Sequence, residues 1–149
     1  MLLVVSISLG ACSIFENMPS DKRVYSTEDF EEIVCDTGFG ECQICQDPED
    51  LDHVTSCCTS DEEGIRVCYY LFENVSHADQ YFFDEKLALD MAGKGTTDTI
   101  NNFMNYKIYS QESEEQYTYL IRVENAVLQI DATMDQKPAA EALLLALGY

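Results

Sequence analysis

The chain has 149 residues, 28 of them acidic and 8 basic, for a net charge of −20, with 46% hydrophobic residues. That length suits one domain able to bury a core without help from metals or disulfides. So acidic a surface repels phosphate backbones, which sets nucleic acid aside as a partner and leaves cationic or protein partners open.

The first element in chain order is a leader. Met1 to Leu9 is apolar apart from Ser6 and Ser8, and Leu9-Gly10-Ala11-Cys12 follows directly. A membrane-spanning helix needs about 20 residues, so this run suits a signal-peptide core rather than a span. The tetrapeptide resembles the lipobox of bacterial lipoproteins, in which the cysteine receives diacylglycerol and becomes the new N-terminus. The expected organisation is a signal peptide over 1–11, a lipidated Cys12 with a polar tether over 12–24, and one acidic α+β domain over 25–149. Two acyl chains hold a protein stably at a bilayer, so the resemblance places the domain on the outer face of the cytoplasmic membrane. The plainer alternative is that residues 1–12 form a buried strand of a cytosolic domain.

Ser26 with Asp29 three residues on predicts a helix start, with Tyr25 stapled onto Phe30. Phe30, Ile33 and Val34 fall on one face, and Gly38 is the stop. Residues 40–46 and 54–60 read as strands. The turn at Asp61-Glu62-Glu63-Gly64 leads into Ile65 to Phe72, where Ile65, Val67, Tyr69 and Leu71 alternate with Arg66, Cys68 and Tyr70. Ser76 with Asp79 repeats the capping signature, and Ala78, Tyr81, Phe82, Ala88, Leu89 and Ala92 keep helical spacing. Residues 93–97 read as a flexible loop. Residues 102–110, 116–123 and 126–132 read as antiparallel strands joined by an acidic turn around Glu112 to Glu115 and a tight Glu124-Asn125 turn. A last helix starts near Asp135, carries Pro138 in its first turn and closes at Gly148. The result is an α+β fold: an antiparallel sheet of about six strands in α-βββ-α-βββ-α order, with the helices packed on one face. The order hints at an internal duplication, without a repeat at residue level.

From Val67 to Tyr149 the chain resembles a family of small uncharacterised lipoproteins of Gram-positive bacteria. The features are the aromatic strand Tyr69-Tyr70-Leu71-Phe72-Glu73, the helix start Ser76-His77-Ala78, the Gly/Thr-rich loop Gly93 to Thr99, and the strand Tyr117 to Val123 with its Glu124-Asn125 turn. Ile130-Asp131-Ala132, the ending Leu144 to Tyr149, and Ser26 to Phe39 also fit. The resemblance implies an exported, anchored α+β domain and carries over no functional residue. Cys42, Cys45, Cys57 and Cys58 are additional to the family pattern.

With Cys12 lipidated, Cys35, Cys42, Cys45, Cys57, Cys58 and Cys68 remain, compatible with up to three disulfides in any of 15 pairings. Cys42-Gln43-Ile44-Cys45 has thioredoxin spacing, yet Pro48 and the acids after it oppose the helix such a redox pair sits on, and carboxylates raise thiol pKa values. Zinc would draw on Cys42, Cys45, Cys57 or Cys58, and His53. Adjacent Cys57 and Cys58 on a strand point to opposite faces, so structural disulfides or buried thiols are the simpler reading. The run from Asp47 to Asp52 lacks the glycine and the final glutamate of a calcium loop. Cys58 with His53 is a poor nucleophile–base pair, and His77, in the first turn of a helix, reads as structural. No hydrolase, metalloprotease or phosphate-loop motif is present, and no cofactor is implied. Most of the aromatics, among them Tyr69, Tyr70, Phe72, Tyr81, Phe82, Phe83, Phe103, Tyr106, Tyr109, Tyr117 and Tyr119, are expected in the core, because they sit on alternating strands or on the helix stripe. Those on an open sheet face, one of the two sets that strand alternation separates, offer a ligand or partner surface. Residues 1–90 hold 20 acids against 4 bases, whereas 91–149 hold 8 against 4, so a cationic partner is drawn to the first half. The leading expectation is a non-catalytic, lipid-anchored binding or interaction module; the alternative is a redox or zinc protein using the four cysteines 42, 45, 57 and 58.

Overall fold

A computed structural model of the chain describes residues 21–46, 51–93, 97–102 and 105–149. The leader, Cys12, most of the tether, the acids of Asp47 to Asp50 and the centre of the loop after Gly93 lie outside the described residues. The chain is an α+β protein. Its elements are α1 (Thr27–Asp36), β1 (Gln43–Gln46), β2 (Val54–Glu62), β3 (Ile65–Phe72), α2 (Val75–Ala92), β4 (Thr97–Asn102), β5 (Tyr106–Glu112), β6 (Gln116–Val123), β7 (Ala126–Thr133) and α3 (Lys137–Leu147). The strands form one sheet in the order β1-β2-β3-β7-β6-β5-β4, antiparallel throughout. It is built from two meanders, each preceded by a helix, joined where β3 pairs with β7.

The sheet has seven strands rather than six. The addition is β4, Thr-Asp-Thr-Ile-Asn-Asn, whose composition is that of a loop and whose strand state comes from pairing with β5, Thr97 opposite Glu112 to Asn102 opposite Lys107. Propensity is a weak guide where a neighbouring strand offers a complete ladder.

The helices cover both faces. Ile65, Val67 and Tyr69 of β3, Tyr119 and Ile121 of β6 and Leu128 and Ile130 of β7 pack in one core with Phe30 and Val34 of α1 and Leu143 and Leu147 of α3. The opposite parity, Cys68, Tyr70 and Phe72 of β3, Leu120 of β6 and Val127 of β7, packs with Ala78 and Phe82 of α2. Successive strand residues point to opposite faces, and here both sets are apolar, so both faces demand a cover; helices on one face alone would leave Tyr70 and Phe72 in water.

Local chemistry sets the boundaries. The Ser26 side chain accepts from the Asp29 amide at 3.1 Å, capping α1. The cap of α2 is Asn74, not Ser76, its Oδ1 accepting from the His77 amide at 3.1 Å, so the helix starts earlier than the sequence pattern suggests. Gly64 (φ 81°) takes the left-handed position of the β2–β3 turn, where a Cβ would sit 2.8 Å from Thr133 Oγ1. Among the described residues no helix is long and apolar enough to cross a membrane.

The α1/α3 core is tied by tyrosines. Phe30 stacks on Tyr69 with centroids 4.2 Å apart. The Tyr69 hydroxyl accepts from the Tyr25 amide (3.0 Å) and donates to its carbonyl (2.9 Å). Tyr25 donates to Leu147 O (2.8 Å), Tyr149 to Arg23 O (2.6 Å) and Lys22 Nζ to Gly148 O (2.6 Å), clasping the segment before α1 to the end of α3.

Candidate functional site

The cysteines divide between the two faces. Cys45 and Cys57 stand directly opposite one another in the β1–β2 ladder and are joined as a disulfide, with Cα atoms 5.0 Å apart, on the α2 side of the sheet. Cys42 and Cys58 are free, buried and in hydrogen-bond contact within the α1/α3 core. The Cys58 S–H donated to Cys42 holds the Cys42 thiol below its usual range; the same bond and burial push Cys58 far above it. The four sulfurs therefore do not meet at one point, because adjacent Cys57 and Cys58 project to opposite sides of β2. Cys35 is free and exposed, and Cys68 is free and buried.

On the α2 face the helix covers only part of the sheet, and its two ends border different hollows. Beneath its C-terminal half lies a cleft of about 870 Å³, roofed by Leu89 and Ala92 and floored by Gln111, Thr118 and Asp131, with the acidic β5–β6 turn (residues 113–115) and Gln116 closing one end. The Asp131 carboxylate accepts from Thr118 Oγ1 (2.8 Å) and Gln129 Nε2 (2.9 Å). Glu85 of α2 is lifted above the usual carboxylate range by burial and by Asp131 and Asp84. A cleft of this size, with a few fixed hydrogen-bonding groups and a negative floor, suits a small cationic or hydroxylated ligand. Its walls hold no paired nucleophile and base.

The middle of α2 is fixed by charge. Asp79 Oδ1 accepts from Lys107 Nζ and from Arg122 Nε, each at 2.8 Å, and Arg122, almost wholly buried, also donates to Asn105 O at 3.1 Å. On the outer side of the same helix Phe83, Leu87 and Met91, four residues apart, are 50%, 58% and 79% exposed. Most strand aromatics are core, as expected, and both sets are covered by helices: Tyr70 and Tyr109 are buried on the α2 side and Tyr119 on the α1/α3 side.

At the N-terminal end of α2 the structure assembles a group that the sequence pattern does not signal. His53 Nδ1 lies 3.1 Å from Glu73 Oε2, and His77 Nδ1 lies 3.6 Å from the same oxygen. The two imidazoles stack with centroids 3.6 Å apart at 16°. His53 does not approach the cysteines as a fourth ligand; it turns to the start of α2. Glu73 and His77 are four apart, a spacing visible in the sequence, but His53 joins them only through the β2–β3 pairing that sets Val54 opposite Phe72.

No protein-family model and no curated protein matches the chain. Among solved structures, a GTP-binding regulator from Thermotoga maritima aligns over 87% of this chain and 93% of its own at 11% identity, with a TM-score of 0.48.

Proposed function

We propose that this chain is an exported, lipid-anchored binding module of the bacterial cell envelope, non-catalytic, which takes a small cationic or polar ligand in the cleft between α2 and the sheet. The cleft carries the binding part of this reading: it is open, acid-floored and supplied with hydrogen-bonding groups already held in place by Gln129 and Thr118. The Leu9-Gly10-Ala11-Cys12 tetrapeptide carries the anchoring part. A disulfide between Cys45 and Cys57 supports export, because such bonds persist in oxidising compartments. The test is metabolic labelling with a fatty acid in the bacterial host: label is expected on the native chain and absent from Cys12→Ala, and label that persists in the variant sinks the anchoring. For the cleft, a thermal-shift series with polyamines should raise the Tm of the wild type and not of Asp131→Asn; equal shifts in both would remove the cleft as the site.

A thiol-dependent function is the second reading, favoured by the paired Cys42 and Cys58 alone. It predicts alkylation of Cys42 in the folded protein before any other buried cysteine; alkylation only after denaturation counts against it.

A further inference from the structure

We infer that His53, Glu73 and His77 form a binding site for one borderline divalent transition-metal ion, with zinc as the reference, at the N-terminal end of α2. The inference stands independently of the anchor and of the cleft. The chain has two histidines in 149 residues, and the fold brings both, 24 positions apart, onto one carboxylate oxygen at 3.1 and 3.6 Å. The three ligand atoms lie within 4.8 Å of one another. Bonds of about 2.0–2.1 Å to a tetrahedral ion set neighbouring ligand atoms about 3.3 Å apart, so the three already lie near the spacing that one ion requires, and the rings have to reorient to aim at it.

The surrounding backbone holds this arrangement. His53 has φ 66°, a left-handed conformation unfavourable to a non-glycine residue, and a hydrogen bond from the Glu73 amide to the His53 carbonyl (2.9 Å) keeps it there. The Asn74 side-chain nitrogen Nδ2 lies 3.2 Å from His77 Nδ1. A donor at that position favours the Nε2–H tautomer, which leaves the Nδ1 lone pair without a proton, as ligation requires. The imidazole side chains are 51% and 31% exposed, so each ring is able to turn about its Cβ–Cγ bond and open the stack until both lone pairs meet on the ion.

Two imidazoles and one carboxylate select zinc and its transition-series neighbours over calcium and magnesium, which take oxygen donors. Three protein ligands would leave a coordination position for water or a further ligand, and both histidines line a hollow of about 310 Å³ together with Asp52, Gln80, Tyr81 and Asp84. The two aspartates add negative potential that concentrates cations at the mouth.

The test is calorimetric titration of zinc into the full chain in detergent micelles after chelator treatment. One ion per chain is expected, with affinity weakened at least about tenfold by His53→Ala, by His77→Ala and by Glu73→Gln, and unchanged by a Cys42→Ser/Cys58→Ser double variant. Thermal unfolding without metal checks that each variant folds. Independently of any variant, zinc should shift the ring NMR signals of both histidines in the wild type. Absence of binding, unmoved histidine signals, or binding that follows the cysteines rather than the histidines would overturn the inference. Fatty-acid labelling of Cys12 is indifferent to His77→Ala, so failure of the metal site and failure of the anchor read out separately.

Discussion

The two faces of the sheet are built to different rules. The α1/α3 face holds the larger core, and its buried polar groups are tyrosine hydroxyls and the Lys22 ammonium, bonded to backbone groups of distant segments, and the paired thiols of Cys42 and Cys58. The α2 face has a smaller core around Phe82 and Leu120, and its remaining area carries Asp79 with Arg122, the Asp131 cleft and the histidine pair. Burying a charge or an unpaired polar group costs free energy, so a fold tolerates them where something else requires them. The difference teaches that stability resides mainly on one side of this sheet, which frees the other to hold hydrogen-bonding and ionisable groups near solvent.

The contrast is broken most severely through Phe30. Phe30→Ala removes a ring wholly excluded from water and stacked on Tyr69, and should cost about 3–5 kcal/mol in urea unfolding. On the opposite face Asp79→Ala leaves Arg122 buried without its carboxylate. A loss of about 3 kcal/mol is expected, and a loss below that of an ordinary surface pair would mean that the ion pair is dispensable. The Cys45→Ser/Cys57→Ser pair opens a short loop, closed across 12 residues, for a loss of about 3 kcal/mol; reducing agent should lower the wild type to the same stability.

The smallest effect has the opposite sign. Glu85 holds its proton to higher pH in the folded state than in the unfolded chain, because burial and the Asp131 and Asp84 carboxylates disfavour its charge. Stability therefore falls as pH rises from the unfolded value, about 4.3, through the raised folded one, and stays reduced above it. Glu85→Gln should stabilise at pH 7 by less than about 1 kcal/mol, since the group is partly solvated, and the gain should vanish below about pH 4. A pH-independent gain would trace to packing instead.

Much of this frame is legible in residue order. The strand at Ile65 to Phe72, the Ser26 cap and the glycine at 148 report local preferences that the tertiary structure leaves in place. The misreadings have a common cause. Residues 97–102 become a strand through a partner, α2 starts at Val75 because Asn74 outcompetes Ser76 as a cap, and helices occupy both faces because β3 is apolar at both parities. The cysteine reading divides in the same way: strand alternation separates Cys57 from Cys58, but which cysteine meets Cys45 depends on the β1–β2 register. The histidine pair was the least legible feature, since one ring comes from a strand entry and the other from a helix start, and nothing in their spacing joins them.

The tyrosine clasp has a mechanical consequence. Lys22, Arg23 and Tyr25 are fastened to Leu147, Gly148 and Tyr149, so the strip of chain that enters the fold and the helix that closes it bear load together. A tug on the chain ahead of Lys22 is carried as shear over several bonds into α3, rather than peeling α1 away alone.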